Sequence, residues 1–324
     1  GDPNSINSEI IYKTWNAINN ATKRNIYFIS NYLLLREQFK KLNYSLRLIK
    51  VKNINECEND NALKIININI NFKNPFKVSH KSASKFVIES LNLAHTLGKK
   101  EDISGIINCP ISKNLLNKKK IGVTEYLAAM SKIRDGSEVM LIRNKNLSVS
   151  PITTHIDIKE VSKKLNSRSL INKVKTINNS FKKIFKKKPR IGILGLNPHN
   201  AELIKNSEEK KFIIPTISKL KKLGINCDGP LIADTIFIKD YKNYDVVVGM
   251  YHDQVLAPFK AIFKFDAINI TLGLNYLRLS PDHGVASDII GKNIANYTSL
   301  FKCIDFLSKY KKWIMQKNHL DKIF

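Results

Sequence analysis

The 324-residue sequence lacks the features that mark several classes of protein. Its four cysteines, Cys57, Cys109, Cys227 and Cys303, form no CxxC pair, so neither a zinc ribbon nor a disulfide scaffold is indicated. No stretch approaches the ~18 consecutive apolar residues of a membrane span, and the first residues lack the basic-then-apolar layout of a signal peptide. These absences favour a cytoplasmic protein that has no membrane partner.

Glycine is scarce, with 13 residues, and no GxGxxG follows a predicted strand, so a standard Rossmann nucleotide site is not supported. Acidic residues are also few: 27 Asp and Glu against 54 Lys and Arg give a net charge of +27. Such a balance can indicate nucleic-acid binding. The excess, however, is lysine spread along the chain. Arginine, which hydrogen-bonds to base edges and binds phosphates through two parallel hydrogen bonds, is rare. We therefore expect no nucleic-acid partner, although a positive field would attract anionic substrates.

Apolar runs alternate with amphipathic stretches along the chain, which predicts an α/β fold, and the length suits two lobes. The predicted strands are residues 66–71, two within 139–149, 191–196, 236–238 and 246–248. The predicted helices are residues 82–97, 157–170, 208–222 and 297–313, and residues 228–231 are predicted to form a turn.

The most informative stretch is residues 246–292. It opens with an apolar, β-branched segment that predicts a buried strand, and His252 follows where that strand ends. Chemistry in α/β proteins is usually placed past the carboxyl ends of parallel strands. Lys260, Asn269 and Arg278 follow within the same stretch and offer two cations and one amide, which suit a phosphate or carboxylate group. We predict that this stretch forms one wall of an active site.

Three histidines share one setting, because His155, His199 and His252 each follow a β-like segment where the chain turns. If those strands are parallel neighbours, the three imidazoles emerge at one edge of the sheet. Three neutral imidazoles at ~2.0–2.1 Å suit a catalytic zinc ion with an open position, or another divalent metal. No two of them have the short spacing of an HxH or HExxH motif. Three unrelated surface histidines therefore remain the alternative at this point.

Two further segments carry polar residues at predicted helix starts. Thr124 precedes a helix and is either a cap or a hydroxyl that faces a ligand. Residues 282–288 combine turn residues with a predicted helix start, and a glycine-containing loop at a helix N-terminus can receive a nucleotide or an anion.

Several segments resemble the family of 4-hydroxythreonine-4-phosphate dehydrogenases, the PdxA family. They are GLNPHNAE (195–202), GPLIADTIF (229–237), MYHDQ (250–254), NITLGL (269–274) and SPDHGVASDIIG (280–291), together with TTH (153–155), CPISK (109–113) and VTEYLA (123–128). The resemblance covers nearly the whole chain in order. It is dense from residue 194 to 292 and thin before residue 105.

The resemblance implies a two-domain α/β/α fold like that of isocitrate and isopropylmalate dehydrogenases, without a standard Rossmann fingerprint. Lobe one, on the nucleotide side, would comprise residues 1–120 and 266–324. Lobe two, on the metal and dimer side, would comprise residues 121–265. The resemblance also implies a homodimer whose active sites are shared between subunits.

The resemblance also assigns roles to residues. It implies a divalent metal, zinc first with Mg, Mn or Co as alternatives, on His155, His199 and His252, one of which the partner chain donates. It implies substrate contacts from Thr124, Lys260, Asn269 and Arg278. It implies that NAD, or NADP, lies at Asp282, His283, Gly284 and Asp288.

The implied reaction is the NAD-dependent oxidation of the C3 hydroxyl of 4-phosphooxy-L-threonine, a small phosphorylated substrate. The resulting β-keto acid loses carbon dioxide and leaves 3-amino-2-oxopropyl phosphate, in the biosynthesis of pyridoxal phosphate. The alternatives are a dehydrogenase for a related four-carbon phosphorylated hydroxy acid and a decayed, non-catalytic relative.

The chain departs from the family pattern in ways that motivate these alternatives. Val123 replaces a substrate-contacting histidine, and losing one charge-assisted phosphate hydrogen bond costs about 1.5–3 kcal/mol. Residues 1–9 lack two glycines of the family pattern, so a loop that needs positive φ there would be strained or rebuilt. All three metal-ligand histidines are kept.

Overall fold

The computed structural model describes residues 1–54, 56–57, 59–116, 122–133 and 136–320. The strands are β1 (Tyr27–Ser30), β2 (Leu48–Val51), β3 (Leu63–Asn67), β4 (Ile106–Ile107), β5 (Val139–Arg143), β6 (Ser148–Thr153), β7 (Ile191–Leu194), β8 (Cys227–Leu231), β9 (Val246–Tyr251), β10 (Ile268–Leu272) and β11 (Arg278–Pro281). The helices are α1 (Asn7–Ala17), α2 (Asn20–Lys23), α3 (Tyr32–Lys41), α4 (His80–Gly98), α5 (Val123–Met130), α6 (Val161–Lys164), α7 (Ser167–Phe185), α8 (Ile214–Lys222), α9 (Ala233–Ile236), α10 (His252–Phe263) and α11 (Thr298–Leu320).

The chain divides into two compact units. Unit 1 is Gly1–Leu127 with Tyr276–Phe324, and unit 2 is Ala128–Asn275. The sequence-based division was drawn at residues 121 and 266. Strands and helices alternate in both units, so the predicted α/β class is confirmed. Within the described part of the chain, no helix is long and apolar enough to cross a membrane.

Unit 1 contains a parallel sheet in the order β1-β3-β2 and the parallel pair of β4 and β11. Helix α4 covers the predicted residues 82–97 and begins where the Ser79 side chain accepts a hydrogen bond from the backbone N–H of Ser82. Its apolar residues Phe86, Val87 and Leu91 lie on one face of the helix, since Val87 and Leu91 are four residues apart, and all three are buried in one hydrophobic cluster. This periodicity explains why the sequence predicts the helix.

Unit 2 contains strands in the order β10-β5-β6-β9-β7-β8. Strands β6, β9, β7 and β8 run parallel, whereas β5 is antiparallel to both β10 and β6. The polar turn between β5 and β6 is closed by Asn144, whose Oδ1 accepts hydrogen bonds from the N–H groups of Asn146 and Leu147 at 2.8 and 2.9 Å. The predicted strands in residues 139–149, 191–196 and 246–248 are therefore confirmed.

Four local predictions were wrong. The strand predicted at residues 66–71 is β3, which begins at Leu63 and ends at Asn67, because its pairing with β1 and β2 extends no further. Residues 228–231 belong to β8 instead of forming a turn, because they pair with β7, and Pro230 is tolerated since β8 is at the end of the strand order of unit 2. Residues 236–238 do not form a strand: Ile236 ends helix α9 and residues 237–238 form the turn after it, and Ile236 and Phe237 are both buried, which is not a period of two. Residues 157–170 are not one helix, because Asn166 caps a new helix by accepting a hydrogen bond from the N–H of Ser169 at 2.9 Å.

Candidate active site

Three neighbouring strands of unit 2 deliver the three histidines. Strands β6 and β7 both pair in parallel with β9, so the expectation of parallel neighbours is confirmed. His155 lies two residues beyond β6, His252 opens α10 directly after β9, and His199 lies five residues beyond β7. The carboxyl ends of parallel neighbours share one edge of a sheet, and this edge is where open α/β sheets bind ligands.

Two of the three imidazoles lie together. The ring centroids of His155 and His252 are 5.6 Å apart, with an interplanar angle of 39°. Two imidazoles that ligate one tetrahedral ion at ~2.0–2.1 Å place their centroids about 5 Å apart. The Nδ1 atom of His252 lies 2.6 Å from Oδ1 of Asp253. When Nδ1 carries the proton, this hydrogen bond leaves Nε2 as the metal-binding atom, so the pair fits two positions around a divalent ion.

His199 lies in an unusual turn. Residues 199–203 all have positive φ, and the His199 side chain is exposed. In the ranges that the structure describes, no group of three or more His, Cys, Asp or Glu side chains is placed to hold a metal ion. A single chain therefore brings His155 and His252 together without His199.

Unit 1 contains a buried cation among the predicted substrate-binding residues. Arg278, on β11, is 2% exposed, and its Nε donates a hydrogen bond to Oδ1 of Asn108 at 2.6 Å. Its Nη1 donates to Oγ1 of Thr124 at 3.5 Å. Burial lowers the pKa of Arg278 to about 10, so the guanidinium is still charged at neutral pH. The structure thus joins the two predicted residues of unit 1, Thr124 and Arg278.

Sequence reasoning missed Asn108. It directly follows β4, which pairs with β11, and its backbone N–H donates to the carbonyl of Leu279 at 3.1 Å. A polar residue at the carboxyl end of a predicted strand was the available signal, because Asn108 precedes the Cys109-Pro110 turn.

The remaining predicted substrate-binding residues belong to unit 2. Lys260 is exposed and lies on α10, the helix that begins with His252. Asn269 is half-buried on β10, opposite Ile142 of β5. Lys260 therefore lies on the helix that follows β9, and Asn269 lies on a strand of the sheet.

The predicted nucleotide loop, residues 282–288, is held at its start by Asp282, whose N–H donates to Oγ of Ser299 at 2.9 Å. The expected helix start was wrong: only the three-residue 3-10 turn Ser287–Ile289 follows, because Ala286 adopts a left-handed φ of 47°. The loop is therefore no helix N-terminal anion site. Gly284 is exposed, and a side chain there would meet nothing within 4 Å. The exposed carboxylate of Asp288 can accept hydrogen bonds, and the exposed backbone at Gly284 can donate and accept them. Such groups suit the hydroxyls of a ribose.

Two departures from the family pattern have a structural account. Val123 packs against the hydrophobic cluster that includes Leu34 and Val78, so an apolar residue suits its place. Residues 1–9, all of them described, have no positive φ. Asn4 instead exchanges hydrogen bonds of 2.8 Å with the backbone N–H and carbonyl of Val78. The loop is rebuilt with side-chain hydrogen bonds and is not strained.

Comparison with known proteins agrees with this architecture. The protein is 37% identical over 323 residues to a 4-hydroxythreonine-4-phosphate dehydrogenase from Sulfurihydrogenibium sp. (strain YO3AOP1), covering 96% of this chain and 97% of that one. It is 35% identical over 305 residues to the enzyme of that name from Aquifex aeolicus, covering 92% of each chain. A crystal structure of 4-hydroxythreonine-4-phosphate dehydrogenase from Klebsiella pneumoniae superposes with a TM-score of 0.82 at 26% identity, covering 96% of this chain and 97% of that one.

The fold and these matches define an α/β protein of the dehydrogenase class. Residues 21–307 match the family model described as pyridoxal phosphate biosynthetic protein PdxA, and the chain belongs to this family.

Proposed function

We propose that the protein is a metal- and NAD-dependent dehydrogenase of 4-phosphooxy-L-threonine. It oxidises the C3 hydroxyl, and the β-keto acid then loses carbon dioxide to leave 3-amino-2-oxopropyl phosphate. The observation that supports this most directly is the pair of imidazoles 5.6 Å apart at the ends of β6 and β9, in a chain whose relatives carry the corresponding enzyme name.

His155 and His252 would hold a divalent ion together with a third imidazole, His199. Zinc is the first choice for such a donor set, and Mg, Mn or Co are the alternatives. Bound there, the ion would lower the pKa of the substrate hydroxyl and stabilise its negative charge. Asp253 would keep the His252 ring in one orientation, because its carboxylate lies 2.6 Å from Nδ1.

Arg278 would bind an anionic group of the substrate together with Thr124, Lys260 and Asn269. The guanidinium is already held by Asn108 at 2.6 Å. Little side-chain entropy is therefore lost when it binds a phosphate or carboxylate. The hydroxyl of Thr124 adds a neutral hydrogen-bonding group at the same position.

NAD, or NADP, would bind at residues 282–288 and accept the hydride. Asp282, His283, Gly284 and Asp288 supply the polar groups of this loop. The exposed carboxylate of Asp288 would accept hydrogen bonds from ribose hydroxyls. Ser299 would keep the start of the loop in place through its 2.9 Å hydrogen bond with Asp282.

We further propose that the protein is a homodimer with shared active sites. Exposed apolar side chains follow the carboxyl ends of β6, β7 and β8: Ile158 is 72% exposed, Ile204 64% and Ile238 74%. A second copy on this edge of unit 2 would bury these side chains and supply the third imidazole. The free cysteines suit the reducing cytoplasm, where we expect the protein to act.

The test is NADH formation by purified protein from 4-phosphooxy-L-threonine. We expect turnover with zinc, loss of turnover after chelation, and recovery when a divalent metal is returned. The product mixture should contain carbon dioxide in the same amount as NADH. No turnover with any of the four metals would overturn the proposal.

A second candidate is the oxidation of a four-carbon phosphorylated hydroxy acid without the amino group. Two observations favour it: Val123 packs in an apolar cluster where the family has a polar contact, and one relative bears the provisional name D-threonate 4-phosphate dehydrogenase. That relative, from Oceanobacillus iheyensis, is 35% identical over 222 residues, covering 67% of this chain and 66% of that one.

The ratio of kcat/KM for 4-phosphooxy-L-threonine and for D-threonate 4-phosphate separates the two candidates, and the Val123→His variant tests the lost phosphate contact. If the chain acts on 4-phosphooxy-L-threonine, a restored charge-assisted hydrogen bond of about 1.5–3 kcal/mol should raise kcat/KM for it by roughly 10–100-fold. Val123→Ile is the matched control, which preserves apolar packing and should leave kcat/KM unchanged. If wild type has the higher kcat/KM for D-threonate 4-phosphate, the second candidate is favoured, and if it has the higher kcat/KM for 4-phosphooxy-L-threonine, the first is.

A further inference from the structure

A continuous set of hydrogen bonds joins the three turns that carry the histidines. Oγ1 of Thr153, two residues before His155, donates to the carbonyl of Met250 at 2.7 Å. The N–H of Met250, two residues before His252, donates to Oε1 of Gln254 at 2.7 Å. Nε2 of Gln254 then donates to the carbonyl of Gly195, four residues before His199, at 2.8 Å. Gln254 therefore links the end of β9 to the end of β7.

Two glycines leave space for neighbouring side chains at the ends of β9 and β7. A Cβ atom at Gly249 would lie 3.0 Å from Oε1 of Gln254 and 2.5 Å from Cγ1 of Val255. A Cβ atom at Gly195 would contact the side chains of Asn200 and Glu209. A larger residue at either glycine would therefore displace these neighbouring side chains.

Glu209 holds the turn that follows β7. It is fully buried, and its Oε1 accepts hydrogen bonds from the N–H groups of Leu196 and Asn197 at 2.8 and 2.9 Å. Its Oε2 accepts one from Nδ2 of Asn197 at 3.0 Å. Burial alone would raise the pKa of Glu209, but the hydrogen bonds from Asn197 and Leu196 outweigh it and lower the pKa below the ordinary value. The carboxylate is therefore charged at neutral pH.

The turn that carries His199 needs such support. Residues 199–203 are all in the left-handed region, and none of them is glycine. Backbone in this region persists only when the surroundings hold it there. Besides Glu209, Asn200 anchors the turn, because its Nδ2 donates to the carbonyl of Pro230 at 3.0 Å.

We propose that Gln254 and Glu209 are positioning residues that fix the His199 turn on unit 2 of its own subunit, so that His199 is presented to the partner's histidine pair, and thereby set the affinity of the shared site for its metal. Neither residue contacts the metal or the substrate in this role. The inference rests on the proposed metal-dependent function, and it adds two residues that act through backbone groups next to the histidines.

The test measures zinc affinity by competition with a chromophoric chelator, without NAD or substrate. Gln254→Met keeps the length of the side chain and removes both hydrogen bonds, so zinc should bind about 10–100-fold more weakly. Glu209→Gln should weaken zinc in the same range, because its amide cannot accept from three donors. If Gln254→Met binds zinc as tightly as wild type, the inference is overturned.

Asn144→Ala is the matched control. Asn144 also accepts two backbone hydrogen bonds within unit 2, but it closes the turn between β5 and β6, at the amino end of β6. Its loss should lower the melting temperature and leave the zinc affinity unchanged. If this control weakens zinc as much as Gln254→Met does, the effect is general destabilisation and the inference fails.

A second readout separates this inference from the proposed function. In metal-free protein labelled at histidine, Gln254→Met should shift the imidazole NMR signals of His199 and His252 and leave that of His95 in place. If wild type binds no zinc, the metal part of the proposed function fails, and these signals still decide the positioning role. Unshifted signals would overturn it. Should Gln254→Met not fold, Thr153→Val breaks the link to Met250 and serves the same comparison.

Discussion

At the scale of single residues, the turn around His199 combines strain with a candidate function. Its five residues have φ values of 50°, 58°, 49°, 46° and 59°. A left-handed backbone costs an L-residue roughly 1–2 kcal/mol. Strained backbone of this kind is often found at functional sites, where the surrounding structure holds it. Two hydrogen bonds hold this turn: Glu209 accepts one from the N–H of Leu196, just before the turn, and Asn200, within it, donates one to the carbonyl of Pro230.

Ala201→Gly should stabilise the protein, because glycine adopts positive φ without steric cost. We expect the free energy of unfolding in denaturant to rise by about 1 kcal/mol. Ala129→Gly, in the right-handed helix α5, is the matched control and should lower it by up to about 1 kcal/mol. A loss of stability in Ala201→Gly would show that the turn is not left-handed.

His95 should make the stability depend on pH. It is buried on α4, and its Nδ1 lies 2.8 Å from the hydroxyl of Tyr276. Burial, followed by the charge of Lys99, lowers the pKa of His95 from its ordinary 6.5. The folded state therefore favours neutral His95, so its contribution to stability is complete above the unfolded pKa and is lost as the pH falls below it.

We expect the free energy of unfolding of wild type to fall between about pH 7 and pH 5. The His95→Gln variant keeps a hydrogen-bonding side chain that does not titrate, so its curve should be flatter in this window. Equal slopes for the two proteins would contradict the assignment.

Several site residues cannot be found from sequence for a physical reason. Arg278 was predicted because it is one of several polar side chains in an apolar stretch, but its partner Asn108 is 170 positions away and is brought to it by strand pairing. Glu209 and Gln254 act through backbone groups, so their role is visible only once the chain is folded.

At the scale of elements, sequence patterns predict buried strands well and edges poorly. The runs that became β7 and β9 were recognised because they are almost continuously apolar and end at turn residues. Strand β8 was missed since Gly229 and Pro230 are typical of turns, and its place at the edge comes from pairing with β7. Local propensity does not contain that tertiary pairing.

Gly229→Ala should separate β8 from β7. Gly229 has a φ of 150°, and a Cβ atom there would collide with the backbone carbonyl of Ile193 on β7. We expect the free energy of unfolding to fall by about 2 kcal/mol or more, because a backbone atom must move. Gly224→Ala is the matched control: its φ is 74° but its Cβ would meet nothing within 4 Å, so it should cost only about 1–2 kcal/mol. Equal losses would show that the pairing of β7 with β8 is looser than described.

At the scale of the whole molecule, one chain explains only part of the proposed metal site. The resemblance implied three histidines shared between subunits, and the described residues of one chain bring together His155 and His252. Sequence can point to ligand types, but a site shared between copies depends on how two surfaces pack. The exposed apolar residues beyond β6, β7 and β8 are the chain's own indication of such packing.

The measurement that tests this account most directly mixes two inactive variants, His155→Ala and His199→Ala. In the proposed homodimer, His199 of one subunit completes the site of His155 and His252 of the other. Random assortment makes half of the dimers mixed, and each mixed dimer has one site with both defects and one intact site. The account predicts recovery of about a quarter of wild-type NADH formation after subunits exchange. No recovery, with subunit exchange verified, would contradict a shared site built from these histidines.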